Sequence, residues 1–181
     1  MFTTVAIAIL LGFFLIAIAS ASAPRKSQEL ETPIDDDLLT RLNALPINQF
    51  SELMSDLMAR IGLLVEEVGF SDAPLGGVDI LANNTRELMG GRFIVHIVRC
   101  PANQLVPRTV VRRLYQAVRE EEAMKGVLIA TGFFSDEAIR GAHERPIELA
   151  NGDQLRNLLN KHLSEEVDSL PQTPTSFPKR T

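Results

Sequence analysis

Two glycine-led strand signals in quick succession constrain the fold of this chain more than any other feature. Gly76-Gly77-Val78-Asp79-Ile80-Leu81 reads as a turn running into a buried strand, with Asp79 near its start. After a polar turn, Gly90-Gly91-Arg92 leads into Phe93-Ile94-Val95-His96-Ile97-Val98-Arg99. Apolar runs of this length, punctuated by glycine turns, predict neighbouring strands.

The flanking segments extend that pair into a domain. Phe50, Leu53, Leu57 and Ile61 recur at helical spacing, with Asn48 as the expected N-cap of a helix reaching about Leu64. Val65 to Phe70 reads as a strand. Pro107 suits the first turn of a helix running to about Met124. Lys125 to Thr131 is a short apolar strand closed by Gly132, and Ser135 caps a helix with Asp136 and Glu137 in its first turn. Pro146 to Ala150 is a fifth strand, and Asn151 caps a last helix through Leu155, Leu158 and Leu159. A three-strand meander followed by crossover units predicts a single α/β domain over residues 48–163. Its mixed central sheet has about five strands with helices on both faces. Residues 24–47 read as an acidic linker with one helical turn near Asp37–Leu42, and residues 164–181 as a disordered tail. No internal repeat is visible.

Charge and cysteine content narrow the classes of function. The formal net charge of −5 gives no overall pull toward nucleic acid. Much of the acidic excess lies outside the folded part, which is close to neutral and leaves room for a local basic face. The single cysteine, Cys100, excludes an intrachain disulfide framework and reads as a buried structural thiol.

The chemistry-bearing residues gather on a few elements. Side chains at i and i+2 of a strand share a face, so His96 and Val98 face the same way and Arg99 faces the other. Asp79 reads either as a metal ligand or as a carboxylate capping a turn or pairing with an arginine. On the helix after Pro107, Arg108, Arg112 and Arg119 fall within about 40° of one another, with Arg113 further round. A row of guanidinium groups suits phosphate contact, and a solvated face balanced by Glu120, Glu121 and Glu122 is the plainer reading. No aromatic residue interleaves that row, so base stacking finds no support. His143 and His162 stand alone among polar residues.

Taken in order, these pieces resemble the Mrr-type catalytic domain of the restriction-endonuclease-like nucleases, the type IV restriction group. The likeness runs from about Gln49 to Leu163. It is carried by Phe50-Ser51-Glu52, Gly76-Gly77-Val78-Asp79-Ile80, the strand Phe93–Arg99, Val110-Val111-Arg112-Arg113-Leu114, Gly126 to Ser135, and Ile147 to Leu155. In such nucleases an Asp and a second acid or Gln hold a divalent metal, and a Lys two residues later helps to activate water. The resemblance therefore implies Asp79 as the metal-binding aspartate and Glu52 as a supporting acid, with Mg²⁺ as the ion. It puts His96 at the Glu/Gln position and Val98 at the lysine position. A valine can neither hold charge nor move a proton, and an imidazole nitrogen suits transition metals better than Mg²⁺. Lys125, at the mouth of the next strand, would reach the site only by an unusual path. The motif is degenerate, and the expectation is that no metal is held.

Met1 to Ala23 contains no charged side chain, and Val5 to Ala19 is almost wholly apolar. About 20 helical residues cross a bilayer core of roughly 30 Å. Arg25 and Lys26 follow the run at once and no basic residue precedes it, which favours an uncleaved anchor with the C-terminal side in the cytoplasm. Signal-peptide cleavage near Ser22 or Pro24 is the rival.

Three functions fit these readings. The first is a membrane-anchored nuclease-fold domain that binds DNA or a protein partner, with cleavage lost or weakened. The second is an active metal-dependent DNA endonuclease with a rearranged site that uses Asp79, Glu52 and His96. The third is a membrane-tethered protein-interaction scaffold. The anchor itself makes a prediction: the full chain sediments with membranes, and a chain starting at Asp37 stays in the supernatant. Recovery of a secreted product starting near Ser22 or Pro24 would show cleavage instead.

Overall fold

The computed structural model describes residues 37–71, 75–85, 90–101 and 103–171. Helix α1 (Asp37–Ala44) and helix α2 (Ile47–Arg60) precede the meander β1 (Leu64–Phe70), β2 (Val78–Asn84) and β3 (Gly91–Val98). A short strand β4 (Leu105–Val106) leads into α3 (Arg108–Glu120), then β5 (Lys125–Ala130), β6 (Phe133–Phe134) and α4 (Asp136–His143). Strand β7 (Ile147–Ala150), α5 (Gly152–His162) and α6 (Ser164–Asp168) complete the order.

The main sheet is mixed and five-stranded, in the order β1-β2-β3-β5-β7, as the meander and crossovers predict. β1, β2 and β3 pair antiparallel, and β5 lies parallel to both β3 and β7. Each face of the sheet carries its own apolar core. On one, Val78, Ile80, Val95 and Ile97 pack with Phe50, Leu57, Leu42 and Leu155 from α2, α1 and α5. On the other, Ile94, Val98, Leu128 and Ala130 pack with Val110, Leu114 and Val118 of α3 and Ala138 of α4. Strand periodicity produces this division, because consecutive side chains leave opposite faces.

Several local expectations hold. The Ser135 side chain accepts from the Ala138 backbone N–H, and Asn151 forms a reciprocal capping box with Gln154. Cys100 is fully buried, its Sγ donating to the Gln104 carbonyl at 2.8 Å, and burial pushes its thiol pKa up.

Others need correction. The helical turn expected near Asp37–Leu42 within the linker is a full helix, α1, which buries Leu38 and Leu42 and is followed by the buried Leu45. Acidic flanks hide that apolar stripe in the sequence. The α2 helix starts at Ile47 behind Pro46, not at an Asn48 cap, because Pro46 holds an extended conformation at the cap position. The expected tail from residue 164 opens instead with α6, where Val167 is buried. Arg41 of α1 donates to the carbonyls of Val167, Leu170 and Pro171 and ties the end of α6 to α1. The sequence also gives no sign of the two-stranded parallel sheet β4–β6, each strand being two residues long. Among the described residues no helix is long and apolar enough to cross a membrane, and the apolar run Met1–Ala23 lies outside them.

Gly77 is where the architecture is tightest. It adopts φ +131°, and a Cβ there would fall 2.2 Å from the Ile97 carbonyl oxygen of β3. Only glycine combines that dihedral with that approach. Gly77→Ala is expected to destabilise the domain by about 2–4 kcal/mol, from left-handed strain plus overpacking. Urea melts of the two proteins check this, and an unchanged midpoint would refute the close approach.

Candidate functional site

The register between β2 and β3 sets Asp79 directly opposite His96, on the face covered by α3. Directly opposed side chains meet, and here the Asp79 carboxylate oxygen Oδ1 lies 2.5 Å from His96 Nδ1. The His96 side chain is only 6 % exposed and that of Asp79 is 46 % exposed, so the imidazole forms the floor and the carboxylate the rim. Nε2 of His96 is buried without a hydrogen-bond partner among the described residues.

Burial raises the pKa of the Asp79 carboxyl, and four other influences outweigh it. They are the His96 hydrogen bond, the His96 charge, a hydrogen bond from the Ser71 hydroxyl and the nearby Arg113 guanidinium. The net result holds Asp79 below the ordinary carboxylate range.

A cleft of about 270 Å³ opens above the pair, between β1–β3 and α3. Glu67, Ser71 and Arg113 give it polar edges, and Leu81, Ile94 and Leu114 are part of its apolar wall. Strand β1 reaches the cleft through Glu67 and Gly69, opposite Leu81 and Asp79, after a register shift between Val65 and Glu67.

The predicted residues divide sharply. Asp79 and His96 come together in one site, as the resemblance implies. Glu52 does not join them: it is exposed, on α2, which packs against the other face of the sheet. Val98 shares the face of His96 but is fully buried in the apolar core with Cys100, Val106 and Val110, and it does not line the cleft. Arg99 lies on the opposite face, donating to the Leu45 carbonyl at 2.8 Å and standing over the Phe50 ring. Lys125 pairs with Glu148 at 2.5 Å, well away from Asp79. Of the four arginines, Arg113 reaches the cleft, while Arg108, Arg112 and Arg119 form an exposed row further round α3. Sequence reasoning missed Ser71 and Glu67. Alternation of Glu67, Gly69 and Ser71 at i, i+2 and i+4 was the available signal for a shared face.

The donor set does not suit Mg²⁺. That ion demands near-octahedral oxygen coordination at about 2.0–2.1 Å. Asp79 is already engaged by His96 and Ser71. No group of three or more His, Cys, Asp or Glu converges among the described residues. What remains is a buried imidazole paired with a half-exposed carboxylate beside one guanidinium, an arrangement that orients the imidazole and neutralises the carboxylate.

Known proteins place this geometry in a family. No curated protein sequence matches the chain. Among solved structures, the DNA modification-dependent restriction endonuclease AspBHI superposes with a TM-score of 0.51 at 18 % identity. The match covers 77 % of this chain and 39 % of AspBHI, so the chain spans about two fifths of that protein's length. The MspJI restriction endonuclease, solved with a 27-mer oligonucleotide, matches with a TM-score of 0.46 at 16 % identity, over 75 % of this chain and 31 % of MspJI. The sequence profile Mrr_cat, described as restriction endonuclease, matches residues 42–159. With well over half of its length inside that match, the chain belongs to the Mrr_cat restriction endonuclease family.

Proposed function

We propose that the chain is a membrane-anchored DNA-binding domain of the restriction-endonuclease fold in which phosphodiester cleavage is lost or greatly weakened. The observation that carries this reading is the burial of Val98. At the position of the water-activating lysine stands an apolar side chain with 0 % exposure, enclosed by the α3–α4 core. A lysine there would have to bring an ammonium group into that core, at a cost of several kcal/mol. The pairing of Asp79 with His96 adds to it, because the imidazole occupies one oxygen of the acid at the expected position.

DNA binding is supported by family membership and by the exposed Arg108, Arg112 and Arg119, which have no carboxylate partner among the described residues. Guanidinium groups along one helix bind phosphates without reading sequence. The anchor is supported by the uncharged run Met1–Ala23 and by Arg25 and Lys26 behind it. That arrangement keeps the domain in the cytoplasm, where a DNA ligand is within reach.

The full chain in nonionic detergent is expected to leave supercoiled plasmid uncut with Mg²⁺ or Mn²⁺. Robust nicking that disappears in Asp79→Ala would overturn the loss of cleavage. A pH series tests the pair separately. Because the folded pKa of Asp79 is depressed, its contribution to stability is complete above the unfolded carboxyl range and fades as pH falls through the folded value. Urea midpoints of the parent are therefore expected to drop more steeply below about pH 5 than those of Asp79→Asn. Parallel curves for the two proteins would show that the pair has no such effect.

A further inference from the structure

The side chains of Arg108 and Arg145 both border Gly141, at the seam between α3 and α4. A Cβ placed on Gly141 would lie 3.3 Å from both Cγ and Nε of Arg108 and 3.6 Å from Nη1 of Arg145. The absence of a side chain there lets the two charged groups stand side by side across one glycine. Neither has a carboxylate partner among the described residues; the neighbouring Glu137 is engaged by Arg140 at 3.2 Å. Arg145 is fixed in place, donating to the Gly141 carbonyl at 2.5 Å and lying 5.1 Å over the Tyr115 ring. Arg108 is exposed at the first position of α3.

Adjacent like charges repel, and an unneutralised pair of this kind is relieved by a shared anion. A planar guanidinium braced on one side presents its remaining N–H groups in a fixed fork that matches phosphate oxygens. Arg112 follows Arg108 by about one helical turn on the same exposed row, roughly 6 Å along the axis. We propose that Arg108 and Arg145 grip a single backbone phosphate of DNA at the α3–α4 seam, with Arg112 contacting a second. This rests on the DNA-binding reading above and adds its location. The site lies on the outer helical layer and takes in Arg145, a residue that neither the sequence motif nor the cleft identifies. Contact of this kind is indifferent to base sequence.

The salt dependence of binding tests it. Affinity of the full chain in nonionic detergent for a fluorescent duplex is measured over a range of salt concentrations. Each phosphate contact contributes about 0.9 to the slope of log affinity against log salt. Arg108→Gln and Arg145→Gln are each expected to lower that slope by about 1, and the double variant by no more than either single, because one phosphate is shared. Arg112→Gln is expected to lower it by a further unit of about the same size. Arg108→Gln removes no internal partner, so its effect stands even where Arg145→Gln melts early; Arg145→Lys keeps the charge and serves as the second variant. Additive losses of about 2 in the double variant would overturn the shared phosphate. Unchanged slopes with DNA still bound would overturn the site and leave the DNA-binding reading intact. Failure of the parent chain to bind DNA at low salt would end both. Partition into phosphatidylglycerol-doped micelles that depends on Arg108 and Arg145, with DNA affinity untouched, would reassign the site to a lipid headgroup and refute the proposal.

Discussion

The antiparallel register of β2 and β3 is the constraint on which the cleft depends, and the close approach of Gly77 to the Ile97 carbonyl is compatible with it only because residue 77 is glycine. With β2 held that close, Asp79 has His96 as its directly opposed neighbour. Odd and even positions then sort to different cores: Asp79, Leu81, His96 and Val98 toward α3, and Val78, Ile80, Val95 and Ile97 toward α2. A shift of one residue would exchange the two sets and put the carboxylate into the larger core, a cost that pins the register. On this face of β3, where the resemblance expects a Glu or Gln and then a Lys, the strand presents His96 and Val98.

That difference changes what the face stabilises. Full burial of a valine contributes roughly 1.5–3 kcal/mol relative to exposure. At the same position a lysine would need an open, wet cleft to keep its charge. Val98 instead joins Cys100 and Val106 in closing the core beneath β4 and α3. Active sites commonly retain groups that are poor for stability, and replacing them by packed apolar residues moves in the opposite direction. Nε2 of His96 stays buried without a partner among the described residues, next to an acid that satisfies only the other ring nitrogen.

Much of the fold was legible because period and punctuation agree. The 3.6-residue stripe of Phe50, Leu53 and Leu57, the caps at Ser135 and Asn151, and the apolar strands after glycine turns each point to one local structure. What was hidden depended on tertiary contact. Leu38, Leu42 and Val167 are few and set among acids, and they become core residues only because α1 and α6 pack at the edges of the domain. The cleft was half legible. The family resemblance implies Asp79 and His96 in one site, and alternation puts Glu67 on one face with Gly69 and Ser71, but the register shift that aligns that face with Asp79 lies in the pairing. For the arginines, angular position on α3 separates Arg113 from the other three, yet it does not say which side meets the sheet. The buried Val110, Val111, Leu114 and Val118 settle that, and they turn Arg113 toward the cleft.

The distribution of charge that results separates holding a polyanion from cutting it. Around the cleft, Glu67, Asp79 and Glu121 face one guanidinium, Arg113, and Glu121 is itself 3.6 Å from Arg92. Carboxylates gathered at the mouth repel a phosphodiester unless a cation intervenes, and no group of three or more metal-ligating side chains converges among the described residues. On the outer side of the same helix, Arg108, Arg112 and Arg119 have no such opposition. Under the proposed function, a phosphate backbone is drawn to the outer arginine row and turned away from the face that carries Asp79. The proposed DNA contacts and the Asp79–His96 cleft lie on different sides of α3, so on that proposal binding does not depend on whether Asp79 meets a metal.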